Sequence, residues 1–318
     1  MKQIKCIDPH VHCRDGREEY KINIRRVTEI FKELGFTAIF DMPNTKPPIL
    51  TEKEVIDRLK LAEKRKPKVK YFLYVGLTSE EKQIQEAVKL VENYPEVVGL
   101  KLYAAEETDQ EKIYKILAEI EYTGVLAVHC EKASLFQPEL FDPENPLHTH
   151  NLARPPEAEI ESVEDQAIFA LGTGFKGHLH LCHISLPESV DIVWGMKKEL
   201  NITSAITPYH ALLSIQSPEI QGQDGLLYKV NPPLRDRKAV KEIQKRLLEK
   251  KIDWIETDFA PHTFEEKLNP PYLSGIASPQ LYQKLLAWLG QLRMSQKDIE
   301  NLTYWNIKRV FGQKLKDL

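Results

Sequence analysis

The sequence predicts a (β/α)8 barrel, and three observations carry the prediction. Apolar strand-like runs alternate with amphipathic helix-like runs along most of the 318 residues. Eight such runs can be counted, several nearly continuous in apolar residues, as parallel strands covered on both faces should be. Ionisable residues collect at the C-terminal ends of these runs, the face on which barrels carry their sites. A doubly wound sheet would show a glycine-rich turn after its first strand, and residues 12–20 hold only Gly16.

The strand candidates cover residues 4–12, 38–44, 70–77, 97–103, 125–131, 178–185, 203–210 and 252–262. Helices fit between them. Val27, Ile30, Phe31 and Leu34 follow the i, i+3, i+4, i+7 spacing of one helix face. Thr51-Glu52-Lys53-Glu54 has the form of a capping box and precedes Val55, Ile56 and Leu59. Ile113, Ile116, Leu117 and Ile120 form a further stripe. Two connections are long: 131–161, with five prolines, and 210–236, which includes Asn231-Pro232-Pro233. Both leave the C-terminal ends of strands, where long loops serve sites. No repeat, linker or low-complexity segment interrupts the pattern, so a single catalytic domain over residues 1–318 is expected.

Composition narrows the function. Apolar residues make up 42%, enough for a large core, and the net charge is −3. Without a basic tract, nucleic-acid or membrane-surface binding is not expected. No stretch has the length and apolarity of a membrane span or a signal peptide, which makes the cytoplasm the expected location. Cys6, Cys13, Cys130 and Cys182 lack paired C-x-x-C spacing and are expected to be reduced and to pack without taking part in chemistry.

The strand ends carry the chemistry. His10, His12 and Arg14 close the first strand, Asn44 the second, Lys101 the fourth, His129 the fifth and His183 the sixth; Asp258 and His262 close the eighth. Side chains two apart on a strand share a face, so His10 and His12 can grip one ion. Imidazoles with a carboxylate suit zinc or a similar divalent cation. Lys101 lies in an otherwise apolar strand; a neutral buried lysine can take up CO2 as a carbamate and offer two anionic oxygens to metals. His178 and His180 stand an odd number of positions from His183 and on a regular strand face the other way. His148, His150 and His210 are weaker candidates for a role at the site.

At this point the residues resemble a family. Asp8-Pro9-His10-Val11-His12-Cys13-Arg14 and Thr257-Asp258-Phe259-Ala260-Pro261-His262, with Lys267 following, resemble the two signatures of dihydroorotases in the amidohydrolase superfamily. Between them, in family order, stand Asp41-Met42-Pro43-Asn44, Gly99-Leu100-Lys101, His129-Cys130-Glu131, Ala153-Arg154-Pro155-Pro156-Glu157-Ala158-Glu159, Cys182-His183-Ile184-Ser185 and Asn231-Pro232-Pro233. The resemblance implies a metal-dependent cyclic amidohydrolase that interconverts N-carbamoyl-L-aspartate and L-dihydroorotate in pyrimidine biosynthesis. It implies that His10, His12 and Asp258 bind one zinc, that His129 and His183 bind a second, and that carboxylated Lys101 bridges them along with a hydroxide. It implies that Asp258 shuttles the proton and that Arg14, Asn44 and His262 hold the substrate carboxylate, with Asn231 and Ala260 helping through backbone groups. A homodimer, and association with aspartate transcarbamoylase, are compatible with the family.

Departures temper the likeness. Long forms carry terminal segments that pair into a small β domain; here H-x-H begins at residue 10 and the sequence ends soon after Phe311-Gly312, so a compact form is expected. Residues 273–279 depart from the usual pattern, and residues 104–109 occupy the place of a covering loop. Hydantoinases and allantoinases share the metal constellation, and some dihydroorotase-like chains are non-catalytic scaffolds. Arg14 and Asn44 favour a carboxylate-bearing substrate.

Overall fold

A computed structural model describes residues 4–104 and 108–318. Eight parallel strands follow one another in sequence order, each hydrogen-bonded to the next: β1 Cys6–Val11, β2 Phe36–Asp41, β3 Lys70–Gly76, β4 Val97–Tyr103, β5 Val125–His129, β6 His178–Leu181, β7 Ile202–Ile206 and β8 Trp254–Ile255. A parallel bridge between Val11 and Phe259 meets the seam between the last strand and the first, with the His12 amide donating to Phe259 O at 2.8 Å. The expected barrel is thus found.

The crossover helices are α1 Ile24–Glu33, α2 Glu52–Arg65, α3 Glu81–Asn93, α4 Gln110–Glu119, α5 Pro156–Thr173, α6 Pro187–Met196, α7 Arg237–Leu248 and α8 Gln280–Gln291. Local chemistry explains their starts. Asn23 caps α1 by accepting from the Arg26 amide, and Thr51 and Glu54 form the expected capping box of α2. These caps satisfy amides that a helix leaves without intrahelical partners. The apolar stripes read from sequence face inward: Val27 and Phe31 on α1, and Ile113, Ile116 and Leu117 on α4, are buried.

Two cores result. The larger lies between strands and helices; the smaller fills the barrel interior with Ile7, Phe40, Tyr74, Val98, Ala127 and Trp254. Phe311 plugs its lower end, 4.9 Å from the Phe40 ring and 6.4 Å from Trp254. The long connections are not loose. Leu147, Tyr209, Leu213, Ile220, Val230 and Leu234 form a third apolar cluster with Ile276 and Leu281, and this cluster supports one side of the barrel mouth. Among the described residues no helix is long and apolar enough to cross a membrane. The covering loop at 104–109 falls largely on 105–107, outside the described residues.

Candidate metal centre and carboxylate pocket

The strands stop earlier than their apolar runs suggested. β6 ends at Leu181 and β8 at Ile255. Beyond those ends the backbone leaves extended geometry: Arg14, His183 and Asp258 have φ of 52°, 35° and 44°. Such left-handed conformations are costly for residues with a Cβ and collect at functional sites. They turn the side chains into a cavity of about 310 Å3 at the barrel mouth, lined by His10, His12, Arg14, His129, His183 and Asp258 among others.

One donor set is tight. His10, His12 and Asp258 each offer a ligand atom, all within 4.8 Å of one another, and all three residues are buried. Asp258 Oδ1 lies 3.0 Å from His12 Nε2 and 3.4 Å from His10 Nε2. Burial opposes ionisation of Asp258, yet the His12 bond and the imidazole charges around it hold its carboxyl far below the usual range. Burial and the charge of His129 push His183 well below the ordinary imidazole value. His183 Nε2 and His129 Nδ1 face each other at 3.2 Å, and His183 Nδ1 is buried without a hydrogen-bond partner among the described residues. Imidazole nitrogens converging beside an ionised carboxylate form a donor set that suits a divalent cation.

Supporting groups fix these donors. Glu256, fully buried, accepts from His10 Nδ1 at 3.1 Å, from the His183 amide at 2.8 Å and from His180 Nε2 at 3.1 Å. Tyr209 donates to Asp258 Oδ2 at 2.8 Å. His129 Nε2 bonds Glu131, which also takes a two-pronged contact from Arg154; Arg154 in turn stacks 3.9 Å over Phe136. Carboxylates behind metal-binding imidazoles set their tautomer and direction. Glu256, Tyr209, Glu131 and Arg154 were not singled out from sequence as site residues. Only Glu131 and Arg154 stood in motifs that carried the resemblance.

Lys101 is fully buried on β4. Its Nζ lies 3.1 Å from Cys182 Sγ and 5.1 Å from the Tyr103 ring centre. No described carboxylate is within ion-pair reach of it, so the Cys182 sulfur is the acidic group at hand. Burial raises the Cys182 thiol, but the Lys101 charge draws it down to about 5. Cys182 therefore packs against a site residue, and Cys130 is buried beside β5.

The parity expectation for His178 and His180 needs correction. Both face the barrel interior and bond Thr203 Oγ1, and His180 reaches Glu256. Alternation does not relate them to His183, because the chain has left the strand by residue 182. His210 is held at both nitrogens, by Thr207 and by Pro232 O. His150 supports the pocket wall through Val230 O and Asn231 Oδ1 at 3.0 Å each, whereas His148 is exposed.

A second part of the cavity is cationic. Arg14 Nε donates to Pro261 O at 3.1 Å, and its terminal nitrogen lies 3.0 Å from His262 Nε2. Lys21 Nζ lies 3.2 Å from His262 Nδ1. Burial and the charges of Arg14, Lys21 and Lys267 push His262 down to about 3. Asn44 turns Oδ1 toward His12 Nδ1 at 2.7 Å, which leaves its amide nitrogen available as a donor. The backbone carrying Arg14 is anchored from beneath: Arg58 donates to Arg14 O at 2.8 Å and pairs with Asp41, which accepts from the Cys13 amide. Asn231 and Ala260 also line the cavity.

Comparison with known proteins decides the family. No protein-family model matches the chain. A dihydroorotase of Methanosphaera stadtmanae is 30% identical over 317 residues, covering 96% of this chain and 70% of that protein. A dihydroorotase of Methanothermobacter thermautotrophicus is 30% identical over 98% of this chain and 70% of its own length. The chain belongs to the dihydroorotase family. Solved structures agree on the fold of this family member. An L-hydantoinase from Arthrobacter aurescens superposes with a TM-score of 0.83 at 20% identity, over 96% of this chain and 70% of that one. A dihydroorotase from Campylobacter jejuni does so with 0.69 at 16% identity, over 98% and 85%. Membership places the chain among metal-dependent cyclic amidohydrolases.

Proposed function

We propose that the chain catalyses the reversible cyclisation of N-carbamoyl-L-aspartate to L-dihydroorotate. The observation that carries this choice is the shared cavity: Arg14 and Asn44 line the same space as His10, His12 and Asp258, and His262 stands behind Arg14, 3.0 Å from its terminal nitrogen. A planar guanidinium fits a carboxylate with two parallel bonds, and dihydroorotate bears a carboxylate beside the ring that opens.

In this proposal His10, His12 and Asp258 would hold one zinc and His129 and His183 a second, with Lys101, as its CO2 adduct, between them. When bound, the metal supplies an activated water and polarises the scissile amide carbonyl. Asp258 takes the proton of the attacking water and delivers it to the leaving ring nitrogen; in synthesis it returns the proton. Tyr209 holds Asp258 Oδ2 so that the carboxylate keeps one orientation through both transfers. Arg14, Asn44 and His262 hold the carboxylate, and backbone groups at Asn231 and Ala260 hold the ring.

The same reading treats residues 1–318 as one catalytic barrel acting in the cytoplasm. Homodimerisation and association with aspartate transcarbamoylase are tested by sizing the chain alone and mixed with that enzyme. The test of substrate class compares L-dihydroorotate with 5,6-dihydrouracil, which lacks the carboxylate, on the zinc-loaded chain. Preference for dihydroorotate by kcat/KM supports the proposal. Preference for the uncharged ring would favour a hydantoinase-type activity.

A further inference from the structure

Two buried lysines outside the metal centre have no role in the chemistry above. Lys229 and Lys267 are 9% and 5% exposed, and no carboxylate among the described residues pairs with either. Their ammonium groups are satisfied by one short segment and its neighbour. Lys229 Nζ donates to Tyr272 O at 2.8 Å and Ser274 Oγ at 2.9 Å; Lys267 Nζ donates to Gly275 O at 2.6 Å and Lys229 O at 3.1 Å. The Gly275 amide closes the knot by donating to Lys229 O at 2.9 Å.

This arrangement is expensive. Burial, helped by the Arg154 charge, pushes Lys229 down to about 8; burial and the Lys229 charge push Lys267 down to about 7. A methionine at either position would fill the space without burying charge. What the lysines hold explains their presence. Ser274, Gly275, Val230 and Asn231 all line the cavity. Gly275, at φ 147°, is packed so closely that a Cβ there would come within 3.0 Å of both Ala260 Cβ and His262 Cδ2. The segment therefore backs the carboxylate pocket directly, and its position depends on donors that reach it from residues 229 and 267.

We propose that Lys229 and Lys267 are positioning residues for substrate binding: they clasp the 272–275 loop to the 229–231 segment and so fix the cavity wall beside His262 and Ala260. The substrate named here rests on the dihydroorotase reading; the clasp itself does not. Its test combines hydrogen exchange with kinetics on the metal-loaded full chain, using Lys267→Met and Lys229→Met. Amide exchange in 271–276 should speed up at least about tenfold in each variant, with β1–β8 unchanged. KM for L-dihydroorotate should rise about tenfold or more, while kcat and metal per chain stay within about twofold. Unchanged exchange in that segment, or loss of kcat and metal at constant KM, would overturn the proposal. Should Lys267→Met loosen the whole barrel, Lys229→Met decides, because Lys229 itself lies in a loop and its ammonium reaches Tyr272 O, Ser274 Oγ and the Phe141 ring. If the parent turns over no dihydroorotate, the reaction assignment fails and the exchange result alone judges the clasp.

Discussion

Glu256→Gln is the most informative single change to the metal centre. Glu256 touches no cavity surface, yet one oxygen receives His10 Nδ1 and the His183 amide, and the other receives His180 and Trp254 Nε1 at 3.3 Å. Glutamine keeps the shape and one acceptor but removes the charge. A hydrogen bond to an ionised acceptor is worth roughly 1.5–3 kcal/mol against about 1 for a neutral one, so His10 loses about 0.5–2 kcal/mol of orientation. Since about 1.4 kcal/mol is a factor of ten, zinc should bind about tenfold more weakly. That lies at the lower end of the 10–100-fold range typical when a carboxylate behind a ligating imidazole is lost. The assay is competition for zinc against a chromophoric chelator, with circular dichroism to verify that the barrel is folded. Zinc affinity within twofold of the parent in a folded variant would refute the role given to Glu256.

Four further expectations follow from the same structure. Arg14→Lys replaces a two-pronged donor by a point charge and should raise KM for dihydroorotate about tenfold or more with kcat little changed; steady-state kinetics in the ring-opening direction reads this. Asp258→Asn should abolish turnover even at metal occupancy matched to the parent, and Tyr209→Phe should lower kcat about tenfold with metal content unchanged; turnover paired with metal analysis separates the two effects. Lys229 and Lys267 titrate near 8 and 7 in the folded chain against 10.5 ordinarily. Between those values the unfolded chain holds more protons, so these two groups make stability rise with pH from about 7 upward. The Lys229→Met, Lys267→Met double variant should therefore show a smaller gain, or larger loss, in Tm from pH 7 to pH 9 than the parent.

Sequence patterning revealed the barrel because each strand is buried on both faces and each helix on one, so the alternation of apolar runs was visible without side-chain detail. Strand ends were less legible. The stretch 252–262 reads as one strand, but only Trp254–Ile255 is regular; the remainder carries Asp258 at positive φ and Ala260 at the cavity. Apolar composition persists there because Phe259 is buried in the core and bridges both to Val11 and to Ile276, a pairing of single residues rather than a continued strand. His10, His12, Arg14 and Asp258 stood out because charge in an apolar run is costly. Glu256 and Tyr209 did not, since a single glutamate or tyrosine carries no spacing signal; their significance arises only when β8 and the segment after β7 bring them behind His10 and Asp258. Lys267 stood in the second signature, but its clasp with Lys229 was hidden because Lys229 carries no spacing signal, although the unusual 273–279 segment marked its other half.

The central claim is a metal-dependent dihydroorotase, and one measurement addresses it most directly. The purified, zinc-loaded chain is assayed with L-dihydroorotate and with N-carbamoyl-L-aspartate, before and after chelation, with metal counted per chain in the same sample. The account predicts turnover in both directions that is lost on chelation and restored by zinc. Bound metal without turnover of either substrate, or turnover indifferent to chelation, would contradict it.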